Sequence, residues 1–231
     1  MKVLGDWDEV GTATISLQQR DLPLHKDFQK NWDLWQILQL MEPLRERPIV
    51  DLGSGENYTL NMLRRAGFKA LVGIDMRVPR ESWFDGLRST YRRYRPRKGL
   101  LPRYRLVQGN ILNTPFDQSF FDAAVCLSVV EHNVNLEQFF AESSRILRKG
   151  ARMYLSTDYW EPKINTTGAT FGGMPWKIFD KTGVETLAAI GRSHGFKLDD
   201  PTIPDVKMPV VYAKGKHYTF ISMTFTLSKS T

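Results

Sequence analysis

The chain has 231 residues, of which 42% are hydrophobic, and a formal net charge of +7. This length suits one α/β domain with a sizeable core. The single cysteine, Cys126, can form neither an internal disulfide nor a cysteine metal cluster, which predicts a reducing, cytoplasmic compartment. The N-terminus lacks a signal-peptide pattern, and no apolar run approaches the roughly 20 residues of a membrane helix, so we expect neither secretion nor a membrane span.

The positive charge is concentrated in residues 77–105. Ten basic residues there stand against two acidic ones, a local balance of +8, so the rest of the chain sums to −1. Arginines interleaved with Tyr91 and Tyr94 can bind phosphates and stack on bases. Three interpretations stay open, namely a solvated face, a site for an anionic small substrate, and a surface for nucleic acid.

The N-terminal segment, residues 1–44, is predicted to form a helical cap or lid on a second unit, residues 45–231. Apolar residues recur three or four apart between residues 28 and 44, which is helical amphipathic spacing. The aromatic region from Trp7 to Trp35 is a candidate lid, core cover or homodimer surface.

From Pro48 onward, short apolar runs alternate with segments long enough for crossover helices. This rhythm is typical of a parallel sheet with helices on both faces, and it predicts an α/β fold. The runs cover residues 48–52, 70–74, 104–107, 121–127 and 151–155. A short strand after Gly195 and an alternating run from Tyr218 to Leu227 predict an antiparallel pair at the sheet edge.

The first of these strands runs into a glycine turn. Gly53 and Gly55 let the backbone turn sharply and approach a ligand, and a helix is predicted over residues 57–66. Asp75 ends the next strand 22 residues after Gly53, where a carboxylate can accept hydrogen bonds from ribose hydroxyls. A plain strand-to-helix connection and a solvated carboxylate are the alternative interpretations.

The spacing of the glycines indicates which nucleotide-like ligand the turn can bind. Tyr58 stands where the third glycine of a dinucleotide turn would fall, so pyrophosphate binding and an NAD-dependent dehydrogenase are disfavoured. Asp51, just before the glycines, would repel a diphosphate but suits a ligand with ammonium and sulfonium charges.

These residues resemble the class I S-adenosylmethionine-dependent methyltransferases, over about residues 45–228. In that family a carboxylate-x-Gly-x-Gly-x-Gly segment wraps the methionine half of the cofactor; here Asn57 stands at the third glycine. The resemblance implies a Rossmann-like sheet of seven mostly parallel strands, with an antiparallel last strand and helices on both faces. It assigns S-adenosyl-L-methionine binding to Asp51, Gly53, Ser54, Gly55, Asn57, Asp75, Met76, Asn110, Ile111 and Leu127.

Further family landmarks follow in order along the chain. The segment 108–111 resembles the one that contacts adenine, with Asn110 in place of the usual aspartate. Residues 121–125 resemble the fourth strand, and residues 127–132 the segment after it that is common in small-molecule methyltransferases. Residues 145–151 resemble the turn into the fifth strand, and 179–196 the late helix.

His132 is our candidate general base, because it follows the fourth strand, where cofactor and acceptor should meet. Its alternative role is to shape the cofactor pocket or cap the next helix. Glu131, His132 and Asp158 are also considered as a magnesium site, although their spacing alone does not establish one, and we predict no metal. The loop 172–176 is placed to cover an acceptor.

The sequence therefore predicts a methyltransferase that O-methylates a small metabolite such as a sugar or nucleotide-linked sugar, which includes anionic acceptors. An RNA-modifying methyltransferase that uses residues 77–105 is one alternative. A non-catalytic cofactor-binding protein is another, because Asn57 and Asn110 depart from the family pattern.

Overall fold

A computed structural model describes residues 1–77 and 104–228. Most of the basic segment, residues 78–103, lies outside the described residues, so its three interpretations stay predictions. The α-helices are α1 (Trp7–Gln18), α2 (Asn31–Met41), α3 (Tyr58–Arg65), α4 (Leu136–Ile146) and α5 (Lys181–Ser193). The strands are β1 (Lys2–Val3), β2 (Pro48–Leu52), β3 (Ala70–Asp75), β4 (Arg105–Gln108), β5 (Phe121–Leu127), β6 (Leu147–Tyr159), β7 (Thr170–Phe171), β8 (Met174–Pro175), β9 (Phe196–Leu198), β10 (Val211–Ala213) and β11 (Lys216–Leu227).

The main sheet of the described residues has the strand order β1-β11-β6-β5-β2-β3-β4, and β9 and β10 also pair with β11. Strands β2 to β6 pair in parallel, whereas β11 runs antiparallel to β6 and β9. The predicted α/β fold and its antiparallel last strand are confirmed. The short strands β1 and β10 extend the sheet beyond the seven strands predicted.

Helices α1, α4 and α5 begin where a side chain satisfies one of their free backbone N–H groups. The Asn135 side chain accepts a hydrogen bond from Gln138 N at 3.1 Å at the start of α4, and Asp180 accepts one from Gly183 N at 2.8 Å at the start of α5. These caps fix two helix starts beside the carboxyl ends of β5 and β6, the strands that each helix follows.

The N-terminal segment is tied to the sheet at two places. Strand β1 pairs antiparallel with β11, and the buried face of α2 packs in a core cluster with residues of β2 and α3. The helix predicted between residues 28 and 44 is present as α2, flanked by 3-10 turns at Phe28–Lys30 and Glu42–Leu44. The division into a cap and a second unit stays a prediction.

The strand order reverses direction between β2 and β5, which are adjacent in the sheet. In open α/β sheets, ligands bind in the crevice beyond the carboxyl ends of the strands at such a point. The glycine turn after β2 and the segment after β5 both lie there. In the described ranges, no helix combines the length and the apolar character needed to cross a lipid bilayer.

Candidate active site

The turn after β2 requires glycine at position 53 for two reasons. Gly53 has φ of +80°, and a Cβ built on it would lie 2.5 Å from Cγ2 of Val129. Its N–H donates a hydrogen bond to the carbonyl oxygen of Ile74 at 2.8 Å, which ties the turn to β3. A side chain at position 53 would strain the backbone and collide with the segment after β5.

Asp75 organises this turn from the end of β3. Its Oδ2 accepts a hydrogen bond from Gly55 N at 2.9 Å, and its Oδ1 accepts one from Arg77 N at 2.7 Å. Each carboxylate oxygen retains acceptor capacity for a further donor. The carboxylate is therefore held beside the glycine turn, where it can accept hydrogen bonds from a ligand's hydroxyls.

Asp51 lies at the carboxyl-terminal side of β2 and is 2% exposed. Its Oδ1 has no hydrogen-bond partner in the described part of the chain. Burial, with the nearby charge of Asp75, raises the pKa of the Asp51 carboxyl to about 7. A buried, unpaired carboxylate oxygen is costly unless a cationic or hydrogen-bond-donating group meets it.

Asn57 adopts a left-handed conformation, with φ of 64° and ψ of 24°, directly before α3. This conformation agrees with the modified turn expected when asparagine replaces the third glycine, because asparagine tolerates positive φ better than most residues. Asn57 is buried, and its Oδ1 also has no partner among the described residues. Unpaired oxygens thus occur at the end of β2, on Asp51, and in the turn that follows it, on Asn57, and both suit a ligand that bears an ammonium group.

The other predicted cofactor residues occupy three neighbouring segments. Ser54 is buried in the turn, Met76 is exposed after β3, and Leu127 ends β5. Asn110 follows β4, and its Oδ1 accepts a hydrogen bond from Leu112 N at 2.9 Å, so its carbonyl also stabilises its own loop. Ile111 is buried against the core rather than exposed.

The loop after β4 is joined to the Asp75 segment by the backbone. Gly109 N donates to the carbonyl oxygen of Asp75 at 2.9 Å. A Cβ on Gly109 would lie 3.0 Å from Cδ1 of Ile74, so the two segments approach closely. The structure therefore brings the β2, β3 and β4 parts of the predicted site to one edge of the sheet.

His132 lies in the segment after β5 and is half-buried. Its Nδ1 is 3.4 Å from the carbonyl oxygen of Pro175, and burial lowers the pKa of the ring. A ring nitrogen that faces a carbonyl oxygen carries the hydrogen, which leaves Nε2 with a lone pair. His132 is therefore neutral near pH 7 and chemically able to accept a proton, but its role as a base stays a prediction.

A buried charge cluster occupies the same end of the sheet and consists of Lys30, Asp33, Glu131 and Asp158. All four residues are at most 9% exposed. The Lys30 ammonium lies 3.8 Å from Asp33 Oδ2, donates a hydrogen bond to Ser128 Oγ, and sits 3.3 Å above the ring of Phe220. A lysine of the N-terminal segment thus contacts the residue directly after β5.

The carboxylates of this cluster are partly satisfied by neutral donors. Thr157 Oγ1 donates to Glu131 Oε2 at 3.1 Å, and Trp176 Nε1 donates to Asp158 Oδ2 at 2.7 Å. Burial raises the pKa of both carboxyls; the charge of Asp158 raises that of Glu131 further, whereas Lys30 opposes both shifts. Three carboxyls share one lysine, so part of the cluster is protonated near neutral pH.

Glu131, His132 and Asp158 are the residues that the sequence offers as magnesium ligands. Within residues 1–77 and 104–228, no group of three or more His, Cys, Asp or Glu side chains is arranged to hold a metal ion. Trp176 and Thr157 instead take up the carboxylate oxygens of Asp158 and Glu131.

The loop 172–176, predicted to cover an acceptor, belongs to the β7–β8 hairpin. The hairpin is anchored by Trp176, which is buried and whose backbone N–H donates to Ala169 O at 3.0 Å. Beside it opens a cavity of about 510 Å³, lined by Glu131, by residues 163–167 and 175–180, and by the start of α5. The hairpin therefore borders a space that can hold a small molecule.

Sequence reasoning missed the contribution of Lys30, Asp33 and Lys177. Lys30 and Asp33 interrupt the apolar spacing before and within α2, and a polar pair in an amphipathic helix normally indicates its solvent face. Only the fold shows that both residues are buried against β5 and β6. Lys177 stands in a loop that carries no motif.

Comparisons with known proteins agree with this architecture. Residues 50–155 match the family model described as a methyltransferase domain. Squalene methyltransferase 2 of Botryococcus braunii is 29% identical over 134 residues, which cover 50% of this chain and 33% of the relative. Botryococcene C-methyltransferase of the same organism is 38% identical over 64 residues, 28% of this chain and 16% of the relative. The chain thus spans at most about a third of the length of these relatives.

Solved structures share the fold at low sequence identity. The geranyl diphosphate C-methyltransferase of Streptomyces coelicolor A3(2), in complex with Mg²⁺, geranyl diphosphate and S-adenosyl-L-homocysteine, is 17% identical with a TM-score of 0.59, over 89% of this chain and 85% of that one. The [4+2]-cyclase SpnF is 16% identical with a TM-score of 0.56, over 84% of this chain and 71% of that one. Residues 50–155 thus match a methyltransferase domain, and the chain shares the fold of solved S-adenosylmethionine-dependent methyltransferases.

Proposed function

We propose that the chain binds S-adenosyl-L-methionine at the glycine turn after β2 and methylates a small molecule. The observation that carries this proposal is the two unpaired buried oxygens, Asp51 Oδ1 at the end of β2 and Asn57 Oδ1 in the following turn, which the Asp75 carboxylate holds. When bound, this cofactor supplies an electrophilic methyl group on a sulfonium. The chain's residues fit its charges, because Asp51 suits the ammonium group and Asp75 suits the ribose hydroxyls.

The remaining predicted residues complete the proposed cofactor site. Asn110 and Ile111 follow β4 and would lie beside the adenine, while Gly53 and Gly55 permit close approach of the backbone. In the proposed reaction His132 Nε2 is the first candidate to take a proton from the acceptor, since Nδ1 faces a carbonyl oxygen. The N-terminal segment, residues 1–44, contributes Lys30 to this end of the sheet and acts as the proposed cover.

The acceptor that we propose has an apolar body. Relatives of the chain are named for squalene, botryococcene and geranyl diphosphate, and the cavity beside the hairpin has Leu136, Ile164 and Phe179 in its wall. The sugar acceptor expected from the sequence has no support from these relatives. It remains one arm of the test, as does RNA. The homodimer and the cytoplasmic location stay predictions.

The fold alone does not settle the reaction, since one structural relative is named a [4+2]-cyclase. The test is transfer of a radiolabelled methyl group from S-adenosyl-L-methionine to geraniol, geranyl phosphate, squalene, a hexose, a nucleotide-linked sugar and bulk RNA. We expect transfer to an isoprenoid acceptor and its loss in Asp75→Ala. Labelling of RNA alone, in a strongly salt-dependent manner, would favour the nucleic-acid alternative. Cofactor binding without transfer to any of them would favour the non-catalytic one.

A further inference from the structure

The cavity beside the β7–β8 hairpin combines apolar walls with a few polar groups. Leu136, Ile164 and Phe179 provide apolar surface, and Thr166 and Thr182 are polar residues of the same lining. Small-molecule sites are usually concave spaces of roughly 300–1,000 Å³ with this mixture, and the cavity measures about 510 Å³. Its size and lining are those of a metabolite site.

The cavity lies on the ligand-binding edge of the sheet. Leu136 begins α4, which follows β5, and Asp180 caps α5, which follows β6. Both helix starts therefore stand beyond the carboxyl ends of their strands, on the same edge as the glycine turn after β2. A molecule in the cavity would occupy the β5–β6 side of that edge, away from the turn itself.

The charges around the cavity leave one cation uncompensated. Four charged residues line it: Glu131, Lys163, Lys177 and Asp180. Lys163 and Asp180 face each other, with Lys163 Nζ 4.0 Å from Asp180 Oδ2. Burial and the charge of Asp158 raise the pKa of the Glu131 carboxyl, which favours its neutral form. Glu131 is also the acid whose charge acts on Lys177, so Lys177 is then the lining cation that makes no ion pair among the described residues.

Lys177 is held in place but unpaired. Its backbone N–H donates to the Glu131 carbonyl oxygen at 3.0 Å, and its ammonium lies 4.1 Å above the ring of Phe179. Its ammonium makes no ion pair within 4 Å among the described residues; partial burial lowers its pKa, and the charge of Glu131 opposes that shift. A partly desolvated cation beside an apolar wall is stabilised by an anionic ligand group, which also gives that group a fixed position.

We propose that this cavity binds an amphipathic molecule with one anionic group, a carboxylate or a phosphate monoester, whose anion contacts Lys177 and whose apolar body follows Leu136, Ile164 and Phe179. This inference rests on the proposed function only in taking the molecule to be the methyl acceptor. Binding in the cavity needs no cofactor, so it can be measured separately.

The test is calorimetric titration of the full chain with geranyl phosphate, geranate and geraniol, which share a hydrocarbon body and differ in the headgroup. We expect both anions to bind at least about tenfold more tightly than geraniol, since a charge-assisted hydrogen bond contributes about that factor. Lys177→Met should lower the affinity for both anions by about tenfold or more and change the affinity for geraniol by less than about twofold. Lys177→Arg should retain most of the anion affinity, because the charge remains.

Lys163→Met is the matched control, because this lysine lines the same cavity but is 78% exposed and faces Asp180. We expect it to change anion affinity by less than about threefold, as exposed charges contribute little. If geranyl phosphate binds and geranate does not, the headgroup is a phosphate; if both bind, one negative charge suffices. Equal binding of geraniol, unchanged anion affinity in Lys177→Met, or no binding of any probe would each overturn the proposal.

Every variant is also titrated with S-adenosyl-L-methionine. Retained cofactor binding by Lys177→Met shows that the domain is folded, so that lost anion binding is assigned to the cavity. If the wild-type chain binds the anions but not the cofactor, the proposed function fails while the cavity assignment stands. If it binds the cofactor but not the anions, the cavity assignment fails alone.

Discussion

Two regions of the molecule are built in opposite ways. One is the glycine turn after β2, and the other, here called the acceptor end, is the buried charge cluster of Lys30, Asp33, Glu131 and Asp158. The turn comes from residues within one β-α-β unit, in which Gly53 N donates to the carbonyl oxygen of Ile74 and Gly55 N donates to the Asp75 carboxylate. The acceptor end joins Lys30 to Ser128, residues 98 positions apart, through side chains. The first region depends on backbone conformation and the second on buried charge. Variants of the two regions should therefore fail in different ways.

The largest expected effect comes from Lys30→Met, which leaves the carboxyls of Asp33, Glu131 and Asp158 without their cation. Removing one partner from a buried ionic group costs about 3 kcal/mol of unfolding free energy. The folded-state pKa values of these carboxyls are already raised, so their stability contribution is present at low pH and lost as pH rises through those values. The loss in Lys30→Met should therefore be greater near pH 8 than near pH 5.5.

Urea denaturation at both pH values measures this effect. Lys26→Met is the control, since Lys26 is 52% exposed and pairs with Glu56 on the surface. We expect the control to match the wild type at both pH values. An equal loss at the two pH values in Lys30→Met would show that packing rather than charge explains the cluster.

Asp75→Ala should act on the cofactor rather than on the acceptor end. The loss of hydrogen bonds to a charged acceptor should lower the affinity for S-adenosyl-L-methionine by about 30-fold, or about 2 kcal/mol. Glu56→Gln is the control, because Glu56 is a neighbouring exposed acid on the same turn. Titration calorimetry compares the two; unchanged affinity in Asp75→Ala would remove the ribose assignment.

Gly53→Ala tests the backbone side of the comparison. Positive φ and the approach to Val129 should lower the free energy of unfolding by about 1.5 kcal/mol. Gly11→Ala is the matched control, because Gly11 lies in α1 and a Cβ there meets nothing within 4 Å. Alanine at that position should stabilise the chain slightly. Thermal denaturation measures the stability of both variants. An equal change in stability would contradict the close approach of residue 53 to Val129.

The smallest expected effect is a pH dependence of cofactor affinity. Burial raises the pKa of Asp51 to about 7, so its carboxylate is mostly neutral near pH 5.5 and mostly ionised near pH 7.5. If it meets the cofactor's ammonium group, affinity should rise by about fivefold between those pH values. Asp51→Asn should bind more weakly near pH 7.5 and lose the rise. The same slope in both proteins would place the titrating group elsewhere.

The same contrast explains what could be predicted from the sequence. The strand periodicity, the turn of Gly53 and Gly55, and the spacing to Asp75 are local signals, and the structure places these residues together. The positive φ of Asn57 also followed from its residue type and position. Lys30 and Asp33 were assigned only to a helical pattern, because their burial depends on how α2 packs across β5 and β6. The role of Lys177 could be inferred only from the cavity that it lines, and no local sequence pattern predicts that cavity.

The central claim is that the turn of Asp51, Gly53 and Gly55 binds S-adenosyl-L-methionine. Its most direct test is calorimetric titration of the purified chain with S-adenosyl-L-methionine, S-adenosyl-L-homocysteine and NAD. We predict saturable binding of the first two and no binding of NAD, since Tyr58 replaces the third glycine of a dinucleotide turn. Binding of NAD alone, or of none of the three, would contradict the account.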